Sequence, residues 1–246
     1  INIILIIKLM KNISIIFPFF NEEKRIHICL RDIKNFYYSK KIGRVEFILV
    51  NDGSKDQSLN IVKKFIKKNK LIYIKIVNLK KNFGKGYALK KGVLVAKYKN
   101  ILTIDSDISV SLSQLNVWLK YPEFNSSEII FGSRNLKKSE IKYSINRYII
   151  GFFFRIFIRF ILKIKMRDTQ CGFKLYKNNT AKKIFKVLQT NGFSHDIEIV
   201  LIAKKLKYKI SEYPVKWTHK NNSKLQIAKD SINMLIEILK IKKSLK

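Results

Sequence analysis

The chain has 246 residues, of which 47% are hydrophobic, and this content excludes an intrinsically disordered protein. Its length is sufficient for one large α/β core, or for one domain with an appendage. Lysine and arginine number 51 against 17 aspartates and glutamates, and the net charge of +34 indicates polyanionic partners: nucleic acid, an anionic membrane surface or phosphorylated substrates. A general compositional bias toward lysine would produce the same charge without any partner, so charge alone does not identify a function.

The N-terminal residues and the cysteines bear on the compartment in which the chain works. The N-terminal stretch is apolar, but it contains Lys8, Lys11 and Asn12 and lacks a cleavage site of small residues. We therefore expect neither a signal peptide nor a transmembrane span there. The only two cysteines, Cys29 and Cys171, offer neither a disulfide framework nor a zinc motif, which indicates a reducing compartment.

Apolar runs alternate with amphipathic segments through the first 110 residues. The predicted strands are 13–17, 45–50, 72–79 and 100–105, and the predicted helices are 23–38, 57–69 and 84–97. This alternation indicates βαβ units, and hence an α/β fold with a mostly parallel sheet flanked by helices. Sites in such sheets lie at the carboxyl ends of strands. The polar turns that follow three of the strands, "FPFFNEE", "VNDGS" and "IDSDIS", are therefore expected to form the site.

Another strand is predicted at 128–133, and it is followed by the most apolar segment of the chain, 145–165. Arg155, Arg159 and Lys163 recur there at every fourth residue, so a helix would carry a basic stripe opposite an aromatic and aliphatic face. This pattern predicts an amphipathic helix in the membrane interface. A spanning helix is disfavoured because each central arginine costs about 2.5–3.5 kcal/mol on insertion scales. The alternative is a buried core helix with arginines at its rim.

Two of the scarce carboxylates, Asp105 and Asp107, stand one residue apart where the predicted strand 100–105 ends. Side chains at positions i and i+2 of a strand point the same way, so the two negative charges would repel each other. A cation between them would remove this cost, and either a divalent metal or lysine side chains could supply it. The alternative is a helix N-cap, since Asp and Ser residues are common caps.

An ordered set of motifs is more specific than any one of them. The set comprises "FPFFNEE", "VNDGSKD", "NFGKGYALKKG", "IDSDIS", "FGSRN" and "RDTQCGFKLY". It resembles the family 2 glycosyltransferases of GT-A fold, which are inverting enzymes that use nucleotide sugars. Together with "VKWTHKNNSKL", the last motif is similar to the branch of dolichyl-phosphate β-glucosyltransferases, which are close relatives of the dolichol-phosphate mannose synthases. The resemblance covers roughly residues 13–228.

For the donor, the resemblance implies that Asp105 and Asp107 hold a Mg²⁺ or Mn²⁺ ion against the nucleotide diphosphate, with Asp107 the more direct ligand. Carboxylate oxygens are suitable ligands for such hard cations. It further implies a nucleotide-sugar site that contains Pro18, Phe20, Glu22, Asp52, Gly84, Lys85 and Gly86. Phe20 stands where the family usually has tyrosine, which keeps a ring for stacking but loses a hydroxyl. Lysine and exposed backbone amides in the glycine turn would suit phosphate oxygens.

For the acceptor, the resemblance implies that Arg134 and Arg147 bind the phosphate of a polyprenyl phosphate, and a guanidinium can grip phosphate with two parallel hydrogen bonds. Asp168 and Gln170 would organise the acceptor side. Asp196 lies where many family members carry a general base. An anionic phosphate acceptor needs little or no base, so Asp196 is expected either to act as one or to orient the acceptor or a basic residue.

No linker or internal repeat divides the chain, so we predict one domain, 1–246, with three parts. They are a nucleotide-sugar-binding half, an acceptor half and a basic C-terminal helix, at 13–110, 111–228 and 229–246. The predicted reaction is hexose transfer, most simply glucose from UDP-glucose, to a polyprenyl or dolichyl phosphate at the cytoplasmic face of a membrane, by a peripheral enzyme. One alternative is a GDP-mannose-dependent mannosyltransferase. Another is a basic nucleic-acid-binding protein, although no such motif is recognisable.

Overall fold

The computed structural model describes residues 12–40, 42–121, 124, 126–142, 159–160, 162, 164–218, 237 and 241. The strands within these ranges are β1 (Asn12–Phe19), β2 (Arg44–Asn51), β3 (Ile74–Asn78), β4 (Asn100–Thr103), β5 (Ile129–Ser133), β6 (Glu140–Lys142), β7 (Lys174–Lys177), β8 (Ile210–Pro214) and β9 (Lys216–Thr218). The helices are α1 (Ile26–Ser39), α2 (Ser58–Lys68), α3 (Lys85–Val95), α4 (Ser113–Trp118), α5 (Asn178–Val187) and α6 (His195–Lys205).

Seven of the described strands form one sheet in the order β3-β2-β1-β4-β7-β5-β8. Strands β1 to β4 pair in parallel, and so do β5 and β8. Strand β7 lies between β4 and β5 and is antiparallel to both. Its first residue therefore lies at the carboxyl end of β4, with Lys174 opposite Thr103. Strands β6 and β9 form a separate parallel pair.

Helices cover both faces of the sheet, which explains why β1 and β2 are mostly apolar. Alternate residues of β1 enter two different clusters: Ile15 and Phe17 pack with α1 and α4, whereas Ile16 packs with α3, α5 and α6. Both cysteines are buried, and burial raises the pKa of the Cys171 thiol to about 12. The mostly parallel α/β sheet predicted from the sequence is confirmed.

The predicted strands and helices of the first 105 residues are present, with ends that differ by a few residues. One difference matters for the site: β4 ends at Thr103, so Asp105 and Asp107 lie beyond the strand. The inference that they share one side of a strand was wrong. Ile104 still donates to the Ile16 carbonyl at 3.1 Å, and the chain turns away after it.

Several predictions fall largely or wholly on residues that the structure does not describe. Arg147, Arg155 and Lys163 are among them, as is the C-terminal helix 229–246 apart from residues 237 and 241. The membrane-interface helix at 145–165 therefore stays a prediction, and so does the division into two functional halves. Within the ranges described, none of the helices has the length and apolarity needed to cross a bilayer.

Candidate active site

The turn after β4 brings the carboxylate pair to the carboxyl edge of the sheet. Asp105 accepts a backbone hydrogen bond from Ile108 at 3.2 Å, and Ile108 has a positive φ of 54°. This conformation is rare for a β-branched residue, and strain of this kind is concentrated at functional sites. The turn presents Asp105 and Asp107 from a compact loop rather than from a strand.

A lysine already binds one of the two aspartates. Lys85 Nζ lies 2.6 Å from Asp105 Oδ1, and the side chains are 22% and 34% exposed. Burial disfavours the charged lysine, but Asp105, and to a lesser extent Asp196 and Asp107, outweigh it and raise the pKa of Lys85. Of the two kinds of cation that the sequence left open, the structure supplies the lysine. Lys85 therefore stays charged throughout the physiological pH range.

The carboxylate of Asp107 is bound by Ser109. It accepts hydrogen bonds from the Ser109 amide at 2.9 Å and from the Ser109 hydroxyl at 3.0 Å. Burial and the charge of Asp105 nevertheless raise the pKa of Asp107 above its ordinary value. A further cation next to Asp107 would offset both effects.

The donor set at this turn is compatible with a Mg²⁺ or Mn²⁺ ion. Among the described residues no group of three or more His, Cys, Asp or Glu side chains could hold a metal, so within this part of the chain the candidate ligands are Asp105 and Asp107. Magnesium is commonly held by one or two carboxylates together with substrate phosphates and water. The residues present fit an ion bound in that way.

The glycine turn before α3 is held by Asp52. Its two carboxylate oxygens accept the amides of Phe83 and Gly84, each at 2.9 Å. Gly84 has φ of +103°, which glycine adopts at no steric cost. In the structure Asp52 thus shapes the loop that precedes Lys85, and its predicted place in the nucleotide-sugar site stays a prediction.

The first turn of α3 is held from the other side by the loop that follows α5. The Gly86 amide donates to the Asn191 carbonyl at 2.7 Å, and Gly86 is buried. A Cβ on Gly86 would overlap with the Thr190 carbonyl and would lie 2.8 Å from His195 Cβ. The expectation that exposed amides of this turn would suit phosphate is therefore wrong for Gly86. Glycine at this position permits the close approach of the neighbouring loop.

An open cleft of about 510 Å³ lies beside the ends of β2 and β3. Its lining includes Phe20, Asn51, Gly53, Ser54, Lys55, Asn78, Lys80, Lys81 and Asn82. Of the three residues predicted from "FPFFNEE", Phe20 alone is among the residues that line it. Pro18 is buried within β1, and Glu22 binds Arg25 through two hydrogen bonds of 2.7 Å. A planar ring, amides and lysines would suit a nucleotide.

Two of the residues predicted for the acceptor bind each other. Arg134 donates from Nε and Nη2 to the two oxygens of Asp168 at 2.7 and 2.9 Å, and the Arg134 amide adds a third bond at 3.0 Å. Burial disfavours the Asp168 carboxylate, but Arg134 outweighs burial and lowers the pKa of Asp168. The Gln170 amide also donates to Asp168, at 3.1 Å. The structure thus brings three of the four predicted acceptor residues together, while Arg147 lies outside the described residues.

Asp196 belongs to a buried charge network, of which the sequence predicted only Asp196 as a site residue. Lys174 Nζ lies 2.5 Å from Asp196 Oδ1, and His195 Nε2 lies 2.9 Å from the same oxygen. Burial disfavours the Asp196 carboxylate, but His195 and Lys174 outweigh it and hold its pKa well below the usual range. A general base needs a pKa near the working pH, so Asp196 is poorly suited to that role. The sequence could have indicated this network through Lys174, which lies inside the mostly apolar run "CGFKLY". A lysine that is buried with such a run requires a carboxylate partner.

This network and the Lys85–Asp105 pair line the same small niche, of about 10 Å³. Gly172 also lines this niche, and a Cβ on Gly172 would overlap with the Asp105 carboxyl group. The site therefore joins residues from four segments: the turn after β4, the start of α3, the residues before β7 and the start of α6.

Comparison with known sequences gives the chain a family and relatives. The model of the family described as "Glycosyl transferase family 2" matches residues 14–185. A dolichyl-phosphate beta-glucosyltransferase of Dictyostelium discoideum is 35% identical over 241 residues, covering 94% of this chain and 73% of that protein. Enzymes of the same name from Homo sapiens and Saccharomyces cerevisiae are each 32% identical, covering 87% and 94% of this chain and 70% and 74% of theirs.

Solved structures support the fold independently. Glucosyl-3-phosphoglycerate synthase from Mycobacterium tuberculosis in complex with UDP superposes with a TM-score of 0.68 at 15% identity, covering 98% of this chain and 84% of that one. The same synthase in complex with Mn²⁺ and UDP-glucose has a TM-score of 0.68 at 15% identity and covers 97% of this chain and 82% of that one. The predicted GT-A architecture is confirmed by this likeness.

Proposed function

This chain belongs to glycosyl transferase family 2, and we propose that it transfers glucose from UDP-glucose to dolichyl phosphate or a related polyprenyl phosphate, with inversion at the anomeric carbon. The observation that carries the proposal is the 32–35% identity, over 87–94% of the chain, to dolichyl-phosphate beta-glucosyltransferases of three organisms. Family membership favours this enzyme over the nucleic-acid-binding alternative. The names of these relatives favour glucose over the mannose alternative.

On the donor side, we propose that Asp105, Asp107 and Lys85 receive the nucleotide diphosphate. A Mg²⁺ or Mn²⁺ ion held by the two aspartates would neutralise charge on the leaving diphosphate. Lys85 would exchange part of its contact with Asp105, now 2.6 Å, for a phosphate oxygen. The cleft beside β2 and β3, which includes Phe20, would hold the nucleoside. Asp52 contributes by holding the loop that carries Lys85.

On the acceptor side, a phosphate monoester is already an anion, so its oxygen attacks the anomeric carbon without prior loss of a proton. The new bond joins that carbon to the acceptor oxygen, and the bond to UDP breaks with its electron pair leaving on UDP. Asp196 fits this reaction because its carboxylate is committed to Lys174 at 2.5 Å and need not accept a proton. A hydroxyl acceptor would need the base that Asp196 is unsuited to be.

Acceptor binding is assigned to Arg134 and Arg147, with Asp168 and Gln170 in support. The paired hydrogen bonds from Arg134 to Asp168 fix the plane of the guanidinium and so orient it before any ligand arrives. Buried Asp168 is itself held by the amide of Gln170 at 3.1 Å. The Asp168 carboxylate thus orients the Arg134 guanidinium, and we propose that the guanidinium in this orientation binds the acceptor phosphate.

Because a polyprenyl chain is apolar and a nucleotide sugar is not, the reaction has to take place at a membrane surface, and we propose the cytoplasmic face. The predicted interfacial helix 145–165 would supply the contact. Liposome flotation of wild type and an Arg155→Ser/Arg159→Ser double variant tests this, with roughly 1 kcal/mol of binding expected per basic residue. Binding should weaken with salt. Flotation indifferent to salt, anionic lipid and both arginines would contradict the interfacial helix.

A donor screen tests the reaction itself. Purified protein is incubated with phytanyl phosphate, Mn²⁺ and either UDP-glucose, UDP-galactose or GDP-mannose, and the released nucleotide is measured. We expect release that depends on UDP-glucose, on the lipid phosphate and on the metal. Transfer from GDP-mannose alone would support the mannosyltransferase alternative. Release without lipid phosphate, or transfer to phytanol in its place, would contradict the proposed acceptor.

A further inference from the structure

Glu198 is a buried carboxylate that none of the proposed catalytic steps uses. It lies on α6, is 2% exposed, and accepts the amide of Gln189 at 2.9 Å and that of Thr190 at 2.7 Å, one on each oxygen. Both amides belong to the loop between α5 and α6. Glu198 therefore fixes the position of that loop by binding its backbone.

The same loop in turn holds the first turn of α3. The Asn191 carbonyl accepts the amide of Gly86 at 2.7 Å. Asn191 is the next residue in the chain after Gln189 and Thr190, whose amides Glu198 binds. The Thr190 carbonyl lies so close to Gly86 that no side chain fits between them. A second hydrogen bond, from Lys90 Nζ to the Leu188 carbonyl at 2.8 Å, joins α3 to the same loop. A displacement of the loop would consequently move the start of α3.

Lys85 is the first residue of α3, adjacent to Gly86, and its Nζ lies 2.6 Å from Asp105. On the other side the loop before it is held by Asp52. We infer that Glu198 is a positioning residue for donor binding: through the loop 189–191 it holds Lys85 at the carboxylate pair. The inference rests on the proposed function only in taking a nucleotide diphosphate as the ligand of Lys85.

The chain offers a matched control in Glu46. This glutamate is 1% exposed and also accepts a backbone amide, that of Lys97 at 2.8 Å, together with the Ser14 hydroxyl. It lies near the start of β2, whereas the candidate site lies at the carboxyl ends of the strands. Glu46→Gln and Glu198→Gln make the same chemical change to two buried loop-binding carboxylates. Only the second is connected to Lys85.

The experiment measures UDP affinity by calorimetry, with and without Mn²⁺, and steady-state kinetics for UDP-glucose and phytanyl phosphate. A glutamine oxygen can accept one of the two loop amides, while its NH₂ group faces the other. For Glu198→Gln we expect UDP affinity and kcat/KM for the donor to fall at least tenfold, with KM for the lipid phosphate unchanged. A misplacement of about 1 Å can cost roughly a hundredfold in rate, so this loss is within range. For Glu46→Gln we expect wild-type affinity and kinetics.

Hydrogen exchange and a second variant complete the test. Amides of residues 85–88 should exchange faster in Glu198→Gln and at the wild-type rate in Glu46→Gln. If Glu198→Gln does not fold, Gly86→Ala displaces the same loop from the opposite side and should give the same loss of UDP affinity. Unchanged UDP affinity in the folded variant, or an equal loss in Glu46→Gln, would overturn the inference. A wild type that binds UDP but does not use UDP-glucose would contradict the proposed function alone.

Discussion

Gly172 and Asp105 lie in such close contact that a methyl group on Gly172 would occupy the space of the Asp105 carboxyl group. The two residues belong to different segments, one before β7 and the other after β4. Their contact fixes the Asp105 carboxylate from one side while Lys85 binds it at 2.6 Å. A glycine is therefore required here by the neighbouring side chain and not by its own backbone.

The first prediction follows from this contact. Gly172→Ala should displace Asp105 and lower kcat by at least about tenfold, within the range for a lost electrostatic contact. The thermal midpoint should stay close to wild type because the displaced group is the partly exposed end of a side chain. Gly132→Ala is the control: its Cβ would meet Val215, Cys171 and Phe173 at 2.8–2.9 Å in the core, so stability should fall by about 1–3 kcal/mol. Normal turnover in Gly172→Ala would show that Asp105 need not hold its position.

The second prediction concerns Asp107. Asp107→Asn should leave the fold intact and cut turnover by at least about a hundredfold, the scale of losing one major electrostatic stabiliser. The Mn²⁺ concentration needed for half-maximal rate should rise. Asp32→Asn serves as the control, because Asp32 binds Ser111 and Leu112 and is not part of the carboxylate pair. Near-normal activity with unchanged metal dependence would remove Asp107 from the metal site.

The third prediction separates two roles of Arg134. Arg134→Lys keeps the positive charge but loses the planar guanidinium, which can bind a phosphate through two parallel hydrogen bonds. KM for the lipid phosphate should therefore rise by much more than KM for the donor. Asp168→Asn removes the orienting carboxylate and should raise the same KM by less. Kinetics with phytanyl phosphate at fixed UDP-glucose check both. Equal effects on the two substrates would mean that Arg134 serves the donor diphosphate or the fold instead of the acceptor.

The fourth prediction is a pH dependence of stability. The pKa of Asp168 is lower in the folded protein than its ordinary value of 3.8. Its stabilising contribution is therefore complete above the unfolded pKa and is lost as the pH falls through the folded one. The difference in free energy of unfolding between wild type and Asp168→Asn should stay constant from neutral pH to about 5 and shrink below about 4. Urea unfolding at several pH values measures it; a difference that grows on acidification would contradict the assignment.

The fifth prediction concerns the buried pair of Asp196 and Lys174. Lys174→Met leaves the buried Asp196 charge without its lysine partner and should cost about 3–5 kcal/mol of stability. The Asp196→Asn/Lys174→Met double variant should be less destabilised than the sum of the single changes. Any Asp196→Asn protein that folds should retain the pH profile of kcat, since no base is removed. A kcat loss of about a hundredfold or more with a changed pH profile would instead identify a general base.

Strands β1 and β2 could be predicted because they are buried on both faces and therefore read as mostly apolar runs. Strand β7 could not, since "KLYK" has only four residues, two of them lysines. The residues around the carboxylate pair were predicted from motifs, but their pairing was not. Lys85 contacts Asp105 because α3 packs near the end of β4, and Arg134 contacts Asp168 because β5 pairs with β7. Both contacts join segments that are distant in the sequence. Lys174 was missed for the same reason.

The position of β7 in the sheet also affects how the chain folds while it is being synthesised. Tyr176 of β7 lies opposite Ile101 of β4 on one side and Ile129 of β5 on the other, so β7 joins β5 and β8 to the rest of the sheet. The ribosome makes β7 after β5. Until the ribosome has released β7, the growing chain has β4 as an open edge, which is a template for pairing with other chains. Long-range pairings of this kind form slowly. We therefore expect the nascent polypeptide to need protection from self-association until residue 177 has emerged, well after the β1–β4 unit is complete.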